Sequence, residues 1–312
     1  MLKTSLCTLA TIAMFAMGFA QPAAAQAANP TYPSRSAPGS AGADPHPVPV
    51  RSRTWGTRLG SNPPAQSREM MVAAAQALAG ATNIDCRVSQ ATRIGSSANR
   101  KSVYEAVCID GPGYILIDET PPQALNCLAL AGQAEQDRAR DPNVTVGAQC
   151  EAAANLDFAK VVGRYAEAAG VACSVDQGAW IGKSLGGNPI YEVGCAGTDG
   201  FWIEETPNGW VSTPCLRIQN ESSACKFSQR AEQAAVVQAM LSGTPGGDCQ
   251  VTDARYMGAS REGHFYEARC ATGEGYVAQL GSGGEVQELT PCINAAALGD
   301  GCKLTPSSPR GG

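Results

Sequence analysis

The sequence predicts an α+β protein of three tandem disulfide-stabilised repeats, each a helix packed on an antiparallel β-meander. Three observations lead there. A cysteine-anchored pattern recurs three times, twelve of the 13 cysteines fall within those copies, and Ala-rich segments of helical period precede runs of period two. An even cysteine number in an exported chain is the arithmetic of a disulfide framework.

The first 27 residues read as an export signal: Lys3, an apolar run from Leu6 to Phe19, then small residues from Gln21 to Ala27. Cleavage after Ala25 or after Ala27 fits the small-x-small rule, and either removes Cys7. Residues 28–66 are rich in Pro, Ser, Gly and Ala, with Asp44-Pro45-His46-Pro47-Val48-Pro49 at their centre, and read as a disordered linker. The repeats follow as 67–150, 151–226 and 227–303, and 304–312 reads as a disordered tail.

The first copy runs Cys86-Arg87-Val88, Ile94-Gly95, Tyr104-Glu105-Ala106-Val107-Cys108 and Gly113-Tyr114. The second has Cys173-Ser174-Val175, Ile181-Gly182, Tyr191-Glu192-Val193-Gly194-Cys195 and Gly200-Phe201, and the third Cys249-Gln250-Val251, Met257-Gly258, Tyr266-Glu267-Ala268-Arg269-Cys270 and Gly275-Tyr276. Helices are expected over Arg68 to Leu78, Ala152 to Ala169 and Gln229 to Leu241, with Ser67 and Ser228 as N-caps and Gly80, Gly170 and Gly243 at the stops. After each helix, period-two alternation marks two strands about a hairpin. A third strand and a short fourth one follow, the last ending at Cys127, Cys215 or Cys292.

Hairpin symmetry sets Cys86 opposite Cys108, Cys173 opposite Cys195 and Cys249 opposite Cys270. The remaining pairs would then be Cys127 with Cys150, Cys215 with Cys225 and Cys292 with Cys302. Four cysteines allow three connectivities in each repeat, so the pairing rests on symmetry alone.

A net charge of -5 argues against a nucleic-acid partner, whose affinity would need a basic patch. The two histidines are His46, in the linker, and His264, so a Ser-His-Asp or Cys-His site could be served only by His264, which is expected to be a polar residue of an exposed hairpin loop, and one ligand cannot make a histidine metal centre. No Cys-x-x-Cys occurs, so neither dithiol redox chemistry nor a zinc ribbon is expected, and neither is a cofactor. Asp118-Glu119-Thr120-Pro121 and Glu204-Glu205-Thr206-Pro207 recur at the end of the third strand, but neighbours on a strand point to opposite faces and cannot flank one bond. In the repeated Tyr-Glu pair, Tyr104, Tyr191 and Tyr266 are expected to fill each core, with Glu105, Glu192 and Glu267 facing outward. Aromatics concentrate in the middle copy. Trp180, Trp202 and Trp210 are the binding candidates, since Phe201 and Trp202 face opposite sides of the sheet and one must lie away from the helix; burial against a neighbouring repeat is the competing reading.

In element order, helix, strand, Tyr-Glu strand, Gly turn and strand, each repeat resembles the PepSY type of extracytoplasmic module. It is also similar to the tandem repeats of the secreted beta-lactamase inhibitor protein. The resemblance covers most of 67–303 and implies a non-enzymatic binding or inhibitory role outside the cytoplasm, with no catalytic residues to carry over.

The expectation is therefore an exported, non-enzymatic, periplasmic or secreted protein that binds another envelope or secreted protein, with no transmembrane segment once the signal is removed. The alternatives are a cell-wall glycan-binding or structural envelope protein, and an enzyme using Asp118, Glu119, Glu204 or Glu205 in a cleft between repeats.

Overall fold

The computed structural model describes residues 65–218 and 224–305. The export signal, the linker up to residue 64 and the tail from residue 306 lie outside the described residues. Among the described residues, three four-stranded antiparallel sheets carry the fold, each a meander with its strands in sequential order.

The first unit is α1 (Ala65–Ala81), β1 (Val88–Ser96), β2 (Ser102–Cys108), β3 (Tyr114–Ile117), β4 (Gln123–Asn126) and α2 (Cys127–Arg140). The second is α3 (Ala153–Leu156), α4 (Phe158–Ala168), β5 (Val175–Lys183), β6 (Pro189–Cys195), β7 (Thr198–Thr206), β8 (Gly209–Pro214) and α5 (Cys215–Ile218). The third is α6 (Arg230–Leu241), β9 (Val251–Ser260), β10 (Gly263–Cys270), β11 (Gly275–Leu280), β12 (Val286–Pro291) and a 3-10 turn, Cys292–Ala297.

Apolar alternation explains the three main cores. Ala75 and Ala79 of α1 share a cluster with Cys86, Val88, Ala91, Ala106, Cys108 and Leu116. Val161, Val162 and Ala166 of α4 meet Tyr191, Val193 and Ile203, while Val237 and Leu241 of α6 meet Ala254, Tyr266 and Ala278. The opposite sheet faces are also buried in the first two units: Val103, Ile115 and Ile117 pack on Cys127 and Cys150, and Trp202 packs on Cys215, Ile218 and Cys225.

Among the described residues, six disulfides close the units, two in each. Cys86–Cys108, Cys173–Cys195 and Cys249–Cys270 tie the entry to β1, β5 and β9 to the end of the following strand. Cys127–Cys150, Cys215–Cys225 and Cys292–Cys302 each close a strap, the segment that leaves the last strand and returns beneath the sheet. By a simple loop-closure entropy, each bridge contributes roughly 2–4 kcal/mol, which suits units this small.

The Ile-Gly or Met-Gly step of each copy coincides with a register shift in the first strand, between Arg93 and Gly95, Trp180 and Gly182, and Phe265 and Tyr266 opposite Gly258 and Tyr256. The backbone reaches φ 142 at Gly182 and φ 123 at Gly258, values a side chain disfavours.

Several local expectations change. Ser67 lies inside α1, and the Ser228 hydroxyl accepts from the Gly200 N–H, so neither stands as the N-cap of its helix; Gln229 and Glu232 form a capping box on α6 instead. The second helix breaks at Asp157, whose side chain accepts from Lys160 N and caps α4. Gly170 and Gly243 do take positive φ just beyond α4 and α6, but Gly80 lies within α1. The 14-residue α2 was not read from the sequence. It is started by Asn126, which accepts from Leu128 N and Ala129 N.

Candidate functional site

The repeated Tyr-Glu pair splits its side chains across each sheet, as alternation requires, but the glutamates do not face solvent. Glu105, Glu192 and Glu267 are 5%, 1% and 0% exposed. Each carboxylate receives the backbone N–H groups just after the last cysteine of its strap. Glu105 accepts from Glu151 N at 3.0 Å, Ala152 N at 2.9 Å and Asn155 Nδ2 at 2.8 Å. Glu192 accepts from Lys226 N at 2.5 Å and Phe227 N at 2.7 Å. Glu267 accepts from Lys303 N at 2.9 Å, Leu304 N at 2.7 Å, Thr305 N at 3.1 Å and Arg255 Nε at 2.9 Å. The outward expectation failed because the strap covers that face, a contact between segments more than 30 residues apart.

Burial pushes the Glu192 carboxyl up from its ordinary range, against hydrogen bonds from Phe227, Lys226 and Trp202 that favour the ionised form. Asp199 is raised for the same reason; it accepts from Leu216 N at 2.9 Å and Gln233 Nε2 at 3.3 Å, joining the middle unit to α6.

The tryptophans separate onto the two faces of the middle sheet. Trp202 sits half-buried on the strap face, against Ile218, the Cys215–Cys225 bridge and Glu192. Trp210 lies on the other face, stacked on Tyr165 with centroids 5.1 Å apart and tilted against Tyr191 at 6.1 Å. Tyr165 and Tyr191 are themselves 5.0 Å apart. Trp180 joins the same core and packs against α2, where Gly132 leaves no room for a Cβ beside the Trp180 backbone and ring. Trp180 and Trp210 thus share one cluster, and Trp202 belongs to another.

Tyr165, Tyr191 and Glu205 are the neighbours that sequence reasoning left out of this site. Burial pushes the Tyr165 and Tyr191 hydroxyls far above the usual phenol range, and the Glu205 carboxylate adds to it. Tyr114 of the first unit is raised by burial, Asp85 and Glu205, which places its hydroxyl near the same group. The shared Tyr position and the β7–β8 alternation were the available signals, but Tyr165 arrives from a helix whose facing only packing decides.

The acidic pairs do not converge. Ile117, not Asp118, lies opposite Val103, whereas Glu204 lies opposite the equivalent Ile190, so the two acidic strings are one residue out of step. Glu119 and Glu204 accept from Asn99 Nδ2 at 3.3 Å and Asn188 Nδ2 at 2.8 Å, each binding its own hairpin. His264 is a half-buried residue of β10, not an exposed loop histidine; its Nδ1 is 2.9 Å from the Tyr256 hydroxyl, and burial with nearby Arg217 lowers its pKa.

Each strap glutamate lies within 4.8 Å of both sulfurs of its strap bridge, a Glu-Cys-Cys grouping present three times. The sulfurs are joined to each other and the carboxylates hold N–H donors, so the grouping serves strap closure. An open cleft of about 310 Å3 lies between the start of α4 and β5, lined by Leu156, Asp157, Phe158, Asp176, Gln177 and Phe227. Among the described residues, no helix is long and apolar enough to cross a membrane.

No protein-family model, curated protein or solved structure matches this chain.

Proposed function

We propose that the chain is an exported, non-enzymatic module that binds another envelope or secreted protein, each repeat being one helix laid on its own four-stranded meander. The observation that carries this reading is the use of the three repeated glutamates. The side chains best placed to act as a triplicated acid or base instead receive backbone N–H groups and hold the straps closed. Chemistry at Asp118, Glu119, Glu204 and Glu205 is disfavoured by their separation onto different hairpins. Helix and sheet residues share one cluster in every unit, which supports the helix-on-meander arrangement. Six disulfides suit an oxidising compartment, periplasmic or extracellular.

The contact surface proposed for the partner is the face of the middle sheet bearing Trp210, Tyr165 and Glu205, where a partly exposed aromatic stack lies beside a carboxylate. Trp202, packed under the strap, is the weaker anchor. The test immobilises the mature, oxidised protein and exposes it to envelope extract, culture medium and purified cell wall. A protein retained in stoichiometric amount, and bound in purified form more weakly by Trp210→Leu, supports the reading. Retention of wall glycan alone makes this a glycan-stacking platform and overturns it.

A further inference from the structure

The residue after the third cysteine of each repeat has a role that the repeat pattern conceals. Leu128 follows Cys127, is 1% exposed, and lies in the core of the next unit with Val162, Tyr191 and Ile203. Leu216 follows Cys215, is 2% exposed, and lies in the core of the third unit with Val237, Tyr256 and Tyr266. Two residues further on, Leu130 and Ile218 pack back under their own sheets. Each strap start thus carries one side chain for its own unit and one that plugs the next.

Polar contacts brace both junctions. Gln136 Nε2 donates to Ile181 O at 3.0 Å and Lys226 pairs with Glu135 at the first; at the second, Arg217 Nε donates to the Tyr266 hydroxyl at 2.8 Å.

The third unit has the same plug, and among the described residues no element receives it. Cys292 is followed by Ile293, which is 78% exposed, while Ala295, the counterpart of Leu130 and Ile218, is fully buried. At the other end, no side chain among the described residues stands against the first unit as Leu128 and Leu216 stand against the second and third. Its tyrosine, Tyr104, is half-buried where Tyr191 and Tyr266 are 5% and 2% exposed. Opposite Tyr104 stands Arg93, exposed, where Trp180 and Tyr256 stand opposite Tyr191 and Tyr266.

We propose that the chain associates head to tail with a second copy of itself, Ile293 of one molecule docking on the Arg93–Tyr104 surface of the next. The occupant is chosen by continuity with the two junctions inside the chain, which join the same surfaces in the same order. The contact is heterologous, one patch meeting a different patch, so it leaves a free head and a free tail and extends into chains or closes into a ring. Arg93 keeps it weak. Its aliphatic stem covers an apolar partner while the guanidinium stays in water, and a polar outer face is how end repeats limit such growth. This inference stands apart from the heterologous partner proposed above, whose surface is on the middle sheet.

Sedimentation velocity across a concentration series of the mature, oxidised protein tests it. The expected result is concentration-dependent dimers and longer species for the natural sequence. Ile293→Asp raises the dissociation constant by about ten-fold or more, the scale of burying one Ile side chain. Because Ile293 is exposed, that variant keeps the unfolding midpoint that the natural protein shows at concentrations where it is monomeric. Arg93→Trp, which gives the first unit the aromatic of the second, tightens association. A natural protein that remains monomeric at every concentration, association untouched by Ile293→Asp, or Arg93→Trp without effect would each overturn the proposal.

Discussion

Removing the Glu192 carboxylate tests the central structural claim, that a buried acid holds the middle strap closed. Glu192→Ala strips the acceptor from Lys226 N and Phe227 N, both of which bond Oε1. An orphaned buried N–H costs about 1–3 kcal/mol, so two cost about 2–6 kcal/mol. Glu192→Gln keeps an amide oxygen where both donors point and costs about 1 kcal/mol or less at neutral pH. Urea unfolding followed by tryptophan fluorescence, with disulfides intact, measures both. Of the four tryptophans, Trp180, Trp202 and Trp210 belong to the middle unit, so the signal reports this site. The two variants also differ in pH behaviour. The Glu192 carboxyl is raised from 4.5, chiefly by burial. The unfolded chain therefore releases this proton first as pH rises. The stabilisation is complete below 4.5 and is lost as pH rises through the native value, so the natural protein's advantage over Glu192→Gln shrinks from acid to neutral pH. An alanine variant within about 1 kcal/mol of the natural protein, or an advantage that grows with pH, would refute the reasoning.

Other outcomes follow from the same structure. Loop-closure entropy ranks the bridges: removing Cys173–Cys195, which spans 22 residues, costs about 3.4 kcal/mol, and removing Cys215–Cys225, which spans 10, costs about 2.7 kcal/mol, as thermal unfolding of the paired Ser variants would show. Gly132→Ala lowers stability by about 1–3 kcal/mol despite alanine's better helix propensity, because its Cβ meets the Trp180 carbonyl and ring; hydrogen exchange at β5 should rise with it. Leu128→Ala opens a cavity at the first junction and costs about 2–5 kcal/mol in the same urea assay, with fluorescence the first signal to move. In a spectrophotometric alkaline titration, Tyr165 and Tyr191 stay protonated past the ordinary phenol range and ionise only as the protein unfolds, because burial raises both.

The repetition is legible in the order of residues alone. Cys86-x-Val88, Tyr104-Glu105 and their counterparts mark three units because a hairpin needs alternating side chains and a staple needs cysteines at its open end. That order also assigns Glu105, Glu192 and Glu267 to the face opposite the tyrosines, since a strand alternates whatever its surroundings. That this face is covered follows from packing instead, because the donors that saturate those carboxylates come from straps returning 34 to 47 residues later. The same distinction governs Trp180, Trp202 and Trp210: alternation divides them between faces, but Gly132, Tyr165 and Ile218, which pack on them, belong to other elements. It is sharpest at Leu128, Leu216 and Ile293. The three are near-identical aliphatic residues at one repeat position, yet two are buried and one is exposed, because the cover of Leu128 and Leu216 comes from a neighbouring unit and no described residue supplies it to Ile293.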